Sequence, residues 1–212
     1  MFVTFEGPEG SGKSTQIQRL GAFLQERGVD CVVTKEPGGT PIADRIRAIV
    51  LDSASVALDP WAEVLLYSAS RRQHTVERIR PALAGGAHVL CDRYIDATLA
   101  YQGYGRLIDL DRLQLLNGWA TEGLVPDLTL LYDIDEETGL SRAHQRNAAM
   151  EVDEGRFEAE DLRFHRRVRE GYLVMATAEP KRFAVVDGRG TIDEVFALTL
   201  DTLRQRAPQL IP

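Results

Sequence analysis

Cysteine is nearly absent. Cys31 and Cys91 are the only two in 212 residues, each inside an apolar, strand-like segment. That usage excludes a disulfide-stapled fold and a cysteine-rich metal centre, and leaves two buried free thiols in a reducing compartment. No apolar run approaches the roughly 20 residues that cross a bilayer, and no basic-then-apolar leader precedes the first strand-like run. An excess of basic charge is missing as well: 25 Lys and Arg stand against 32 Asp and Glu, for a net charge of −7. A protein that coats nucleic acid needs a basic face to displace counterions, so that class is excluded. The expectation is a cytoplasmic protein with no membrane and no nucleic-acid partner. No internal repeat or linker divides the chain, which is expected to form one domain over residues 1–212.

What is present is an alternation. Short apolar runs at Phe2–Phe5, Cys31–Thr34, His88–Cys91, Leu128–Tyr132 and Phe183–Val186 predict five strands. Between and after them, helical periodicity covers Thr15–Arg27, Ala57–Leu83, Leu110–Trp119, Glu136–Arg146, Leu162–Ala178 and Ile192–Arg206. Strands alternating with helices predict an α/β fold of three layers, a five-stranded parallel sheet with helices on both faces. Ligands of such sheets gather at the carboxyl ends of the strands. The segment 147–155, "NAAMEVDEG", has the least pattern and is flanked by arginines, so it reads either as a mobile lid, within about 142–158, or as a plain solvated loop.

The first strand runs into Gly7-x-x-x-x-Gly12-Lys13-Ser14, the full P-loop pattern. Glycines let successive N–H groups turn toward phosphate oxygens, and the following helix adds its free N–H groups and positive dipole end. Lys13 supplies charge to the outer phosphates, and the Ser14 hydroxyl is placed to ligate Mg²⁺. Gly7, Pro8, Glu9, Gly10, Ser11, Gly12, Lys13, Ser14 and Thr15 are therefore expected to hold a nucleoside triphosphate. At the end of the third strand, Asp92 can hold Mg²⁺ or its waters while Arg93 reaches phosphate oxygens with a planar fork.

Tyr67 and Arg71 are spaced to share a helix face with His74, a pairing that suits a planar base but also suits a core tyrosine beside a solvated arginine. Between Asp96 and Arg106, Thr98, Tyr101 and Gln102 could line a second substrate site or belong to a packed loop. Arg142 and Arg146, four apart, and Arg156 beyond the loop could close over the triphosphate, or be solvated.

Taken together, "FEGPEGSGKST", "EPGGT", "LLYSASR", "DRY", "AYQGYGR" and the lid ending "RFE" resemble the thymidylate kinase family over most of the chain. The resemblance implies a P-loop NTPase-type fold and transfer of a phosphoryl group from ATP, with Mg²⁺, to dTMP, giving dTDP for dTTP synthesis. It implies that Glu9 holds the sugar 3′-hydroxyl, that Tyr67 replaces a phenylalanine stacked on thymine, and that Arg71 meets a thymine carbonyl. Arg93 would bridge the donor and acceptor phosphates, Tyr101 would lie beneath the sugar, Gln102 would face the base, and Arg47 would reach the acceptor phosphate. One branch of the family carries an arginine within the P-loop. Gly10 stands there in this chain, as in the branch that draws its arginines from the lid, so Arg146 and Arg156 inherit that role and Arg142 meets ATP. Ala97 stands where a serine is common, and the lid stretch is longer than usual. Family members are usually homodimers, which implies a dimer through the surface of the second and third helices.

Other readings are a kinase for another nucleoside monophosphate, a nucleotide-dependent switch or motor, and a plain binding module. The chain lacks the Asn-Lys-x-Asp segment of a guanine-reading switch and the apolar-run-Asp-Glu pattern of a motor, since Arg93 follows Asp92. A binding module would leave the arginines without a task.

Overall fold

The computed structural model of the chain describes residues 1–55, 57–150 and 156–211, with backbone alone for 148–150. Five strands, β1 (Phe2–Glu6), β2 (Cys31–Lys35), β3 (His88–Asp92), β4 (Leu128–Asp133) and β5 (Phe183–Asp187), pair in parallel in the order β2-β3-β1-β4-β5. Each extends at least one residue past its apolar run, because the ladder continues into the polar residue that opens each loop.

The helices are α1 (Lys13–Gln25), α2 (Pro41–Leu51), α3 (Pro60–His74), α4 (Arg80–Ala84), α5 (Ile95–Thr98), α6 (Leu110–Thr121), α7 (Glu136–Met150), α8 (Leu162–Ala178) and α9 (Ile192–Arg206). A π-helical stretch, Thr75–Ile79, joins α3 to α4, and another, Leu99–Gly105, continues α5. The long helix expected over 57–83 starts at Pro60, where the Asp59 carboxylate accepts from the Trp61 and Ala62 N–H groups. The periodicity did not predict α2, whose Thr40 cap and Pro41 start follow two glycines. Helix α7 passes Arg146 and takes in 147–150, so the unpatterned segment begins as helix. Its remainder, 151–155, lies outside the described residues.

Strand alternation separates two cores. Val3 and Phe5 face Ile17, Leu20 and Leu24 of α1 and Val195 and Leu203 of α9. Phe2 faces the opposite side with Ile79 and Tyr94. On that side a further cluster joins Phe157, Phe164, Val168 and Tyr172 to Tyr101 and Leu131. By the same period Glu6 points to the α8 face, where it meets Tyr172.

The loop after β1 is squeezed between two backbones. A Cβ on Gly7 would overlap the Tyr132 carbonyl oxygen, and one on Gly10 the Gly139 carbonyl oxygen. A Cβ on Gly139 would in turn overlap the Glu9 carbonyl oxygen, so the first turns of α7 rest directly on the loop. Gly139→Ala should therefore lower unfolding stability by about 1–3 kcal/mol, although alanine favours a helix over glycine by about 1 kcal/mol. The measurement is the urea midpoint, which should fall.

Candidate active site

Strand β1 lies between β3 and β4, and β1 and β3 release their loops at the same edge of the sheet, where ligands of open α/β sheets collect. The pairing of Phe5 with Asp92 sets the P-loop beside the β3 turn. Ser14 Oγ donates to Asp92 Oδ2 at 2.5 Å, which brings together the two groups expected at the metal. Among the described residues no three His, Cys, Asp or Glu side chains form a metal cluster. One hydroxyl and one carboxylate fit Mg²⁺, which keeps several waters and takes its other oxygens from substrate phosphates.

Two clefts flank the loop. The larger, about 980 Å³, contains Glu9, Lys13, Ser14, Arg47, Tyr67, Arg71, Asp92, Arg93, Thr98, Tyr101, Gln102 and Arg146 in its walls. The smaller, about 460 Å³, runs along Gly10 to Gln16, Arg142 and Arg146 to the β5–α9 loop at Gly188, Gly190, Thr191 and Ile192. Lys13, Ser14 and Arg146 belong to both, so the two cavities meet there. Gly7 and Pro8 line neither. Gly7 is dictated by packing, and the Pro8 carbonyl accepts from Lys13 Nζ at 3.3 Å.

Arg93 lines the larger cleft. Its Nη2 donates to Glu9 Oε1 (2.7 Å) and to the Tyr101 hydroxyl (2.9 Å), and its Nη1 donates to the Tyr172 hydroxyl (3.2 Å). Among the described residues no acceptor takes its Nε–H or second Nη1 hydrogen, which leaves two donors for an anion. Burial raises the Glu9 carboxyl, but the Arg93 and Lys13 charges and the Tyr101 hydroxyl outweigh it and bring its pKa down to about 2. Burial, then the Arg93 charge, lowers the Lys13 ammonium below its ordinary value.

Arg71 lines the cleft with little to offer. Its Nε donates to Glu36, both Nη1 hydrogens go to Thr98 and Asn117, and Nη2 donates to the Tyr94 carbonyl, leaving one N–H. His74 is structural, held between Glu36 and Thr34. Tyr67 leans toward Phe157, with ring centroids 6.5 Å apart. Gln102 donates its amide to the buried Glu63. Arg47 donates to the Pro37 carbonyl.

The three arginines flanking segment 147–155 separate. Arg142 donates to the Gly188 and Arg189 carbonyls, pinning α7 to the β5–α9 loop over the smaller cleft. Arg146 is half exposed where the clefts meet, paired with Glu158 at 3.2 Å. The structure does not bring Arg156 to the phosphate loop. It is 7% exposed and turned into the core, 2.6 Å from Glu63 and donating to the Ser55 and Val50 carbonyls. Sequence reasoning missed Phe157 and Glu158 in the larger cleft and the β5–α9 loop in the smaller one. The Thr191-x-x-Glu194 capping box was the available signal for that loop.

The family model described as thymidylate kinase matches residues 5–198. The chain is 52% identical to a thymidylate kinase of Trichlorobacter lovleyi over 97% of this chain and 98% of that one. It is 55% identical to a thymidylate kinase of Solidesulfovibrio magneticus, over 92% of this chain and 94% of that one. The crystal structure of thymidylate kinase from Ehrlichia chaffeensis superposes with a TM-score of 0.78 at 34% identity, covering 96% of this chain and 98% of that one.

Glu9 ties the site to pH. Its folded value of about 2 lies below the ordinary 4.5, so the stability it contributes is complete above 4.5 and is lost as pH falls through 2. At about 1.4 kcal/mol per pKa unit, the stability difference between the parent and Glu9→Gln should shrink by about 2 kcal/mol between about pH 6 and about pH 3. Denaturant unfolding of both proteins at each pH measures it.

Proposed function

The chain belongs to the thymidylate kinase family, and from that membership we propose how its own residues move a phosphoryl group from ATP to dTMP. The chain phosphorylates dTMP to dTDP. The observation that carries the residue assignment is the junction of the two clefts at Lys13, Ser14 and Arg146. In this reading ATP occupies the smaller cleft, its triphosphate on the P-loop and its base beside Arg142 and the β5–α9 loop. The larger cleft takes dTMP, with the sugar over Tyr101 and its 3′-hydroxyl donating to the ionised Glu9. The base lies toward Tyr67 and the last N–H of Arg71, with Thr98 and Gln102 walling its pocket. Arg47 and Arg93 meet the acceptor phosphate.

Mg²⁺ brought in with ATP would be held by Ser14 and Asp92 and would neutralise charge on the outer phosphate oxygens. Because the transition state is loose, alignment and charge stabilisation do most of the work. Lys13 supplies charge from the donor side and Arg93 from the acceptor side, and Arg146 reaches the transferred group from α7. A strong general base is unnecessary, since the acceptor phosphate is already largely a dianion near neutral pH. Arg156 ties the residues after the lid to Glu63 and α2, so Arg146 is the lid arginine assigned to transfer. Unpaired thiols at Cys31 and Cys91 favour the cytoplasm.

Coupled assays of ADP and dTDP formation test this. Arg93→Ala and Arg146→Ala should each lower kcat by roughly 100-fold or more, the size expected when a transition-state charge contact is lost. Arg156→Ala should act mainly on stability. A folded Arg156→Ala that loses as much kcat, beside an Arg146→Ala near the parent, would pass the role to Arg156.

A homodimer completes the proposal. Helices α2, α3 and α6 lie side by side and expose Ile42 and Ile49, Leu65, and Leu115 and Trp119, with Val76 on the π-helical stretch after α3. Trp119 is 68% exposed, and a face this apolar across three helices suits a second copy of the chain. Light scattering should give twice the 23.6 kDa chain mass. Trp119→Glu with Leu65→Glu should halve it, and a monomeric parent at micromolar concentration would end the dimer reading.

A further inference from the structure

Arg93 adopts a backbone conformation that an L side chain disfavours, with φ of 68°. Two hydrogen bonds hold the chain on either side of it. The Arg93 N–H donates to the Phe5 carbonyl, and the next N–H, that of Tyr94, donates to Glu6 Oε1 at 2.7 Å. The other oxygen, Glu6 Oε2, accepts from the Tyr172 hydroxyl at 2.7 Å, and that hydroxyl accepts from Arg93 Nη1. One carboxylate thus grips Arg93 twice, through the peptide that follows it and through a tyrosine that meets its guanidinium. Glu6 and Tyr172 are fully buried, and neither lines a cleft.

An apolar residue would fill this position in the β1 core at less expense, since a buried carboxylate needs compensation from all its neighbours. Burial, and next the Asp96 carboxylate, push the Glu6 pKa up to about 7 against the pull of Arg93. The position keeps a carboxylate all the same. Both its oxygens are occupied by donors that converge on one catalytic side chain.

We propose that Glu6 and Tyr172 are positioning residues for phosphoryl transfer, aiming the Arg93 guanidinium at the junction of the two clefts. The proposal rests on the assignment of Arg93 to the transferring phosphates. Glutamine cannot replace Glu6 silently, because its amide can accept from Tyr94 or from Tyr172 but not from both. Phenylalanine at 172 removes the bridge and keeps the ring in the core.

A double-mutant cycle on kcat tests it, with KM for ATP and melting temperature measured alongside. Tyr172→Phe should lower kcat about tenfold with KM for ATP within about twofold, as expected when alignment alone is lost. In an Arg93→Ala background the same change should have no further effect on kcat. Glu6→Gln should show the same non-additivity with a larger loss, and where it fails to fold, Tyr172→Phe carries the test. A Tyr172→Phe enzyme with parental kcat, or one whose loss is equal in both backgrounds, overturns the proposal. Failure of the Arg93 assignment is separately visible, because Arg93→Ala alone would then keep the parental kcat.

Discussion

Cations drawn close together repel one another, and the cleft between the P-loop, the β3 turn and α7 has to tolerate that repulsion. Each is given a provisional partner. Glu9 takes Arg93, Glu158 takes Arg146, and the Pro8 carbonyl takes Lys13. Each cation therefore rests against an acceptor oxygen, and Arg93 keeps two further N–H groups unspent. The cations reach this spot by different routes: Lys13 from the helix after β1, Arg93 from the turn after β3, and Arg146 from α7. Only the parallel order with β1 between β3 and β4, together with the direct rest of α7 on the loop, makes those routes converge.

The sheet was largely legible because its strands are short apolar runs bounded by glycine, proline or charge, and a buried parallel strand leaves little else to read. Helix α2 escaped notice because two glycines before it read as loop, while the Thr40-Pro41 start was a local signal left unused. The stretch from Asp96 to Arg106, read either as the wall of a second substrate site or as a packed loop, is largely helical, and its glycines sit against Leu110, Leu113 and Phe164, where side chains would not fit.

Within the site, what one sequence can show is residue type and spacing, and these placed Lys13, Ser14, Asp92 and Arg93 together, while Tyr101 came in with a definite role only through the family resemblance. What it cannot show is which distant partner claims a side chain. Arg156 follows directly on the unpatterned segment in sequence, yet Glu63, on a helix formed nearly a hundred residues earlier, draws it into the core. Arg71 is similarly claimed by Glu36, Thr98 and Asn117. Glu6 lies just beyond the apolar run Phe2–Phe5 and was not singled out by residue type or spacing. Its meaning depends on Tyr172, which is brought over it only when α8 packs on the sheet.

The contact between Gly10 and Gly139 bears on how such an enzyme can change over evolutionary time. With α7 seated against the loop, a side chain at position 10 has nowhere to go, and an arginine there would have to lift off the very helix that carries Arg142 and Arg146. A side chain at position 10 and the present seat of α7 are therefore incompatible in this chain. Any single substitution that lengthens residue 10 would have to displace Gly139 and the start of α7 before the new side chain could make a contact of its own.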